Sequence, residues 1–81
     1  MIQIRFFASF REQLGIDCFS FQTETPITVT DLINKLQSED EKFSLLNEGD
    51  VLVAKNQELT DFSTLVERND EVAFFPPVTG G

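Results

Sequence analysis

The chain has 81 residues, with 14 acidic against six basic side chains and a net charge of −8. A domain of this length buries about 60–65% of the surface that its unfolded chain exposes, so it has no room for a deep active site of its own. The sequence contains no histidine and one cysteine, which excludes histidine-based proton transfer, histidine metal sites and internal disulfides. The acidic charge argues against nucleic acid and anionic membranes as partners. It favours basic protein partners, although a simple role in solubility explains it equally well.

The N-terminal residues carry no targeting signal of the usual kind. Residues 1–7 lack the long apolar run and the small-residue cleavage site of a signal peptide. No stretch of the sequence approaches the length of a transmembrane helix. We therefore expect a cytoplasmic protein without membrane contact.

The first part of the chain predicts a β-hairpin. Hydrophobic residues alternate with polar ones over residues 2–10, which predicts a strand with Phe7 on its outer face. Gly15 marks a turn, and a second alternating segment at residues 18–22 ends before Pro26. The inner face of the first strand is expected to carry Ile2, Ile4, Phe6 and Ala8.

A helix is predicted after the hairpin. Thr28 is placed as its N-cap, with Asp31 three residues later in the position of a capping box. Apolar residues then recur at the spacing of one helical face, namely at Val29, Leu32, Ile33 and Leu36. The helix is expected to fray in the acidic residues 39–41, after which one end of the core is covered by Phe43, Leu45 and Leu46.

The second half of the chain predicts further strands. Residues 51–55 and 71–75 form apolar runs, and a shorter segment lies at residues 58–59. Turn-forming pairs precede two of these segments, at residues 56–57 and 69–70.

This order of elements predicts an α+β fold of the β-grasp, ubiquitin-like type, in which a mixed sheet of four to five strands packs on one main helix. The first and last strands are expected to lie side by side and parallel, because the helix supplies a right-handed crossover. A ferredoxin-like fold is the main alternative, but it requires a second helix that the pattern does not indicate. We assign residues 1–75 to the domain and residues 76–81 to an extended C-terminal tail.

The outer face of the sheet is a predicted partner-binding surface. Phe7 and Phe75 are expected to point outward from neighbouring strands, and a cluster of exposed phenylalanines often marks an interface. Arg5 and Arg11 are expected to lie beside them. Ordinary exposure without a partner is the alternative.

The composition of the C-terminal tail suits insertion into a binding channel of another protein. Pro76 and Pro77 favour an extended backbone, so that residues 76–81 can project up to about 20 Å from the domain. Gly80 and Gly81 carry no side chain and therefore suit a narrow channel in another protein, although a frayed end is the alternative. A terminal carboxylate requires activation before acyl transfer, and the chain has no phosphate-binding loop to supply it.

The segment from Asp70 to Gly81, DEVAFFPPVTGG, resembles the C-terminus of the small, sulfur-carrier subunits of molybdopterin synthase. Residues 6–8, the Arg11–Glu12 pair and the Asn56–Gln57 pair fit the same family, and the match covers the whole chain in length and element order. The sequence departs from the family pattern at two positions, since Asn69 replaces a usual glycine and Lys55 a usually apolar residue.

The resemblance implies a sulfur carrier that is not catalytic alone and binds no cofactor or metal. An E1-like enzyme is expected to use ATP to form a transient acyl-adenylate at Gly81, the chemical centre, and sulfur transfer then yields a thiocarboxylate. The tail is expected to enter the large subunit of the synthase and donate sulfur to a cyclic pterin phosphate precursor. Partner contacts are expected at Phe7, Arg11, Phe75, Pro76, Pro77, Val78, Thr79 and Gly80.

Other functions remain open at this stage. Sulfur carriers of the thiamine type and ubiquitin-like modifiers also end in Gly-Gly, and a non-covalent interaction module is an alternative of another class. Cys18 is interpreted as an ordinary strand residue rather than a sulfur relay. The acidic residues 39–41 are interpreted as a solvated helix end, because adjacent helical positions do not face one metal ion.

Overall fold

The computed structural model describes residues 1–77. Short elements alternate along the chain, and one helix is much longer than the other. In chain order the helices and strands are β1 (Ile2–Phe6), α1 (Ser9–Leu14), β2 (Cys18–Phe21), β3 (Ile27–Thr28), α2 (Val29–Glu39), β4 (Leu52–Lys55), β5 (Glu58–Thr60), β6 (Leu65–Val66) and β7 (Glu71–Phe75). Two 3₁₀ turns, Glu41–Leu45 and Glu48–Asp50, connect α2 to β4.

Five strands form one mixed sheet in the order β2-β1-β7-β4-β5. The central pair, β1 and β7, is parallel, and the other three pairs are antiparallel. Strands β3 and β6 form a separate two-stranded ribbon. This five-stranded sheet packed on one main helix confirms the predicted β-grasp fold and the parallel pairing of its first and last strands. Within residues 1–77, no helix is long and apolar enough to cross a membrane.

The core lies between the inner face of the sheet and α2. The apolar stripe of α2 is buried as predicted, at Val29, Leu32, Ile33 and Leu36. Phe6 is buried at its centre, and its ring centroid lies 6.2 Å from that of Phe74 and 5.9 Å from that of Phe43. Thr28 caps α2 as predicted, because its hydroxyl oxygen accepts a 3.1 Å hydrogen bond from the Asp31 amide.

The first strand ends earlier than the alternation predicts. Ala8 was expected on the inner face of β1, but it is exposed with φ +56° and immediately precedes helix α1. The helix forms because Phe10 and Leu14, four residues apart, both reach the core from one helical face. It ends at Gly15, whose φ of +75° favours a residue without a Cβ atom. The predicted β1–β2 hairpin therefore exists, but its connection is a helix.

Asp70 is a hydrogen-bonding centre at the start of β7. Its carboxylate accepts hydrogen bonds from the Asn56 side-chain amide at 3.1 Å and from the Glu67 backbone amide at 2.8 Å. Lys55 Nζ lies 3.8 Å from the same carboxylate and donates to the Leu65 carbonyl at 3.1 Å. Lys55 thus connects β4 to β6 and to the turn before β7, which gives this unusual lysine a structural role.

The surroundings of Asp70 favour its charged form. Burial raises the pKa of its carboxyl, but the hydrogen bonds from Asn56 and Glu67 and the charge of Lys55 outweigh burial and hold the pKa below 3.8. A carboxyl whose pKa is lower in the folded state stabilises the fold above its unfolded pKa. That contribution disappears as the pH falls through the folded pKa.

We predict that Asp70→Asn lowers the free energy of unfolding by about 1.5–3 kcal/mol at pH 7, the usual value for hydrogen bonds to a charged group. The difference from the parent protein should shrink as the pH falls below 3.8, the ordinary pKa of the carboxyl. Urea unfolding at a series of pH values measures both quantities. Asp50→Asn is the control, because Asp50 is exposed and its side chain makes no hydrogen bond within residues 1–77. A loss of stability that is the same at pH 7 and pH 3 would contradict the assignment.

Candidate functional site

The outer face of the sheet carries a groove of about 650 Å³. Its floor is small because two alanines, Ala54 and Ala73, lie opposite each other on β4 and β7. In the same row across the sheet, Arg5 lies opposite Ala73 and Leu59 lies opposite Ala54. Short side chains flanked by long ones on a twisted sheet leave a concave surface. The groove is lined by Arg5, Phe7, Ala54, Gln57, Leu59, Glu71, Ala73 and Phe75.

Phe7 and Phe75 form the end of the groove nearest the tail. Phe7 lies just beyond β1 and is 42% exposed, and its amide donates a 3.1 Å hydrogen bond to the Phe74 carbonyl. That bond continues the parallel pairing by one residue and fixes Phe7 beside β7. Phe75 is half-buried, whereas its neighbour Phe74 is fully buried. The predicted register, with Phe74 inward and the two other phenylalanines outward on adjacent strands, is confirmed.

One side of the groove is charged but internally paired. Arg5 Nη1 lies 3.9 Å from Glu71 Oε2, and the Arg5 guanidinium lies 5.9 Å from the centre of the Phe7 ring. Arg5 is exposed and Glu71 is partly exposed, so the ion pair contributes little to stability. The paired charges leave a nearly neutral rim around an apolar floor. Such a groove suits an apolar side chain of a partner.

Leu59 is a lining residue that the sequence analysis missed. It is the most exposed large apolar side chain within residues 1–77, with 68% of its surface accessible. The position of Leu59 depends on the register of the β4–β5 hairpin. A two-residue turn at Asn56–Gln57 pairs Lys55 with Glu58 and therefore Ala54 with Leu59, which places both on the outer face.

The structure places Arg11 away from this groove. Arg11 is exposed on α1 and lines a separate shallow depression with Gly15 and Cys18. Arg5, rather than Arg11, frames the two phenylalanines. A role of Arg11 in partner binding stays a prediction, and it would require a partner that extends around the edge of the sheet. Cys18 itself is exposed on the edge strand β2.

The tail begins directly after β7, the central strand of the sheet. β7 is paired on both sides, with β1 and β4, so its C-terminal end is fixed relative to the groove. Pro76 is half-buried and Pro77 is exposed directly after Phe75. The other predicted tail contacts are Val78, Thr79 and Gly80, and the predicted chemical centre is Gly81. All four lie outside the described residues.

The chain is similar to known proteins over its whole length. It is 42% identical over 82 residues to a molybdopterin synthase sulfur carrier subunit from Escherichia coli, covering 100% of both chains. It is 32% identical over 90 residues to small archaeal modifier protein 3 from Haloferax volcanii, covering 99% of this chain and 98% of that protein.

Among solved structures, it resembles a chain in the complex of subunits 1 and 2 of molybdopterin-converting factor from Helicobacter pylori. The TM-score is 0.68 at 25% identity, and the match covers 99% of this chain and 97% of the other. The sequence profile of the ThiS family matches residues 4–81. That match takes in the sheet, the groove and the Gly-Gly terminus together, and the chain therefore belongs to the ThiS family.

Proposed function

We propose that this protein is the sulfur carrier subunit of a molybdopterin synthase. The observation that carries the proposal is the full-length identity of 42% to a protein of that name. The resemblance to a chain in a complex of two molybdopterin-converting subunits supports a large subunit as partner. The exposed apolar groove supports the same assignment, because this face of the sheet has the character of an interface.

The groove and the tail have separate roles in this proposal. The large subunit places an apolar side chain between Phe7, Phe75 and Leu59, which fixes the orientation of the domain. Pro76 and Pro77 then direct the last residues into the active site of the large subunit. Two glycines without side chains allow the terminal carbonyl to reach the reacting atoms in a narrow channel.

The chemistry takes place at the carboxyl of Gly81. An E1-like enzyme provides ATP, and a carboxylate oxygen of Gly81 attacks the α-phosphorus, which releases pyrophosphate and leaves an acyl-adenylate. A hydrosulfide ion then attacks the acyl carbon, displaces AMP and loses its proton, and the product is a thiocarboxylate; if a persulfide attacks instead, a thiol must reduce the S–S bond of the resulting acyl disulfide to release it. This sulfur attacks a carbon of the cyclic pterin phosphate precursor in the large subunit and displaces an oxygen substituent from it. Water then cleaves the resulting thioester, which leaves the sulfur on the precursor and restores the Gly81 carboxylate. In this proposal the partner enzymes supply the groups for proton transfer, which is consistent with the lack of histidine in this chain.

A protein modifier is the second candidate function. The relative from Haloferax volcanii, at 32% identity, is named a modifier protein. In that function the activated carboxyl of Gly81 would form an isopeptide bond with a lysine of another protein. The fold, the groove and the need for an activating enzyme would be the same, so only the state of the C-terminus distinguishes the two candidates.

We predict a thiocarboxylate at Gly81 in protein purified from cells that are making the cofactor. Mass spectrometry of the C-terminal peptide tests this, because one oxygen is replaced by sulfur at a single residue. The peptide must be separated from Met1 and Cys18, whose oxidation changes the intact mass by nearly the same amount. Gly81 joined to lysines of other proteins, without any thiocarboxylate, would instead establish the modifier function.

A further inference from the structure

The Asn56–Gln57 turn lies at the end of the groove opposite Phe7 and Phe75. Both residues have left-handed backbone conformations, with φ of +50° and +72°, and they join β4 to β5 in the tightest possible hairpin. Gln57 lines the groove, and so does Glu71 on the neighbouring strand. The position of this turn therefore defines one wall of the groove.

Asn56 makes three hydrogen bonds to residues 70–71, where β7 begins. Its backbone amide donates to the Glu71 carbonyl at 2.8 Å, and its side-chain oxygen accepts from the Glu71 amide at 2.9 Å. Its side-chain nitrogen donates to Asp70 Oδ1 at 3.1 Å. Every hydrogen-bonding atom of the Asn56 carboxamide is thus directed at residues 70–71.

The side chain is needed because the backbone turns away at this point. Regular pairing between β4 and β7 ends with Lys55 opposite Val72. Beyond Lys55 the backbone enters the left-handed turn, and the Glu71 amide donates to the Asn56 side chain instead of a main-chain carbonyl of β4. The Asn56 side-chain oxygen takes that place and continues the ladder by one residue. Glu71 is then held on both of its backbone groups.

Asp70, which accepts the hydrogen bond from the Asn56 side-chain nitrogen, is itself held in place by other contacts. Asp70 accepts a 2.8 Å hydrogen bond from the Glu67 amide through its other oxygen and lies 3.8 Å from Lys55 Nζ. The Gln3 amide on β1 donates to the Asp70 carbonyl at 2.9 Å. Asn56 therefore connects the two-residue turn to the central strand of the sheet, which is paired on both sides.

We infer that the Asn56 carboxamide is a positioning group that holds the Gln57–Glu71 wall of the groove in the shape that the large subunit recognises. The inference rests on the proposed function, because it takes the large subunit as the occupant of the groove. Asn56 does not line the groove itself and acts through Gln57 and Glu71.

The test is an exchange of donor and acceptor between positions 56 and 70. Asn56→Asp keeps an acceptor for the Glu71 amide but removes the donor to Asp70 and places two carboxylates side by side. Adding Asp70→Asn restores the contact with its direction reversed, since the new amide at position 70 donates to the new carboxylate while its oxygen still accepts from Glu67. Binding of the large subunit of the synthase from the same organism is measured by calorimetry, and stability by urea unfolding.

We expect Asn56→Asp to weaken binding by about fivefold or more, the size of effect that one lost hydrogen bond produces. The double variant should return to within about twofold of the parent, because two residues that share a hydrogen bond are coupled and the second change restores their contact. Asn69→Gly is the matched control, because Asn69 is also left-handed, with φ +74°, and does not line the groove. Its side chain makes no hydrogen bond within residues 1–77, so binding should be unchanged.

A merely structural role predicts a different result. As long as the variants remain almost entirely folded, lost stability alone leaves the dissociation constant unchanged, because the unfolded fraction stays negligible. Parent-like binding by Asn56→Asp, or no recovery in the double variant, would overturn the inference while the proposed function stands. Asn56→Gly keeps the turn conformation without the carboxamide and replaces Asn56→Asp if that variant does not fold. A parent protein that fails to bind the large subunit would overturn the proposed function, and the inference with it.

Discussion

Removal of Gly81 is expected to abolish sulfur transfer and to leave the fold unchanged. The terminal carboxyl would then belong to Gly80, one residue or about 3.5 Å short of its place in the partner's active site. A displacement of even 1 Å commonly reduces the rate of an enzymatic reaction by about 100-fold. We therefore expect at least that loss in the rate of sulfur transfer to the pterin precursor when the shortened protein is assayed with the activating enzyme and the large subunit.

The fold should not respond to this deletion, because the last strand, β7, ends at Phe75. Circular dichroism and urea unfolding should match the parent protein. Gly49→Ala is the control for loss of a glycine, since a Cβ atom at Gly49 meets no atom within 4 Å and φ there is not positive. That variant should transfer sulfur normally. Normal transfer by the shortened protein would contradict the assignment of Gly81 as the residue that carries the sulfur.

Two adjacent phenylalanines in β7 are expected to respond differently to replacement by alanine, one in stability and the other in partner binding. Phe74 is fully buried and its ring packs on Phe6, whereas Phe75 is half-buried at the groove. Phe74→Ala should lower the free energy of unfolding by about 3–5 kcal/mol, because it leaves a cavity in the core. In a domain of this size that loss is a large part of the total stability.

Phe75→Ala should cost about 1 kcal/mol of stability or less, in the range of surface substitutions. Its effect should appear in partner binding, where loss of an aromatic contact at the centre of an interface weakens affinity by roughly 30-fold. Urea unfolding and calorimetric titration with the large subunit separate the two effects.

Leu65→Ala is the control for these truncations, because Leu65 is 55% exposed on β6 and does not line the groove. It should change neither quantity. If Phe75→Ala destabilised the fold as much as Phe74→Ala, the outward orientation of Phe75 would be contradicted.

The order of the main elements was predictable because each has a periodic signal of its own. The stripe on α2 and the alternation in β1, β2 and β7 arise from burial of one face, which the sequence records directly. The tail motif was likewise visible, because Pro76, Pro77, Gly80 and Gly81 act through their backbone properties rather than through distant contacts. Its residues 78–81 remain a prediction, since they lie outside the described part of the chain.

The tertiary structure decided which residues meet in the groove. Ala54 and Leu59 have no distinctive sequence signal, and they join Arg5 and Ala73 only because four strands align in one row. Helix α1 was missed because six residues are too few for a clear period, and its formation depends on a core that Phe10 and Leu14 reach after the sheet has formed. Local periodicity therefore determined the elements and the tail. Strand register, a relation between residues distant in sequence, determined the groove and the hydrogen bonds of Asn56. Helix α1, which forms only against the core, determined the position of Arg11 outside the groove.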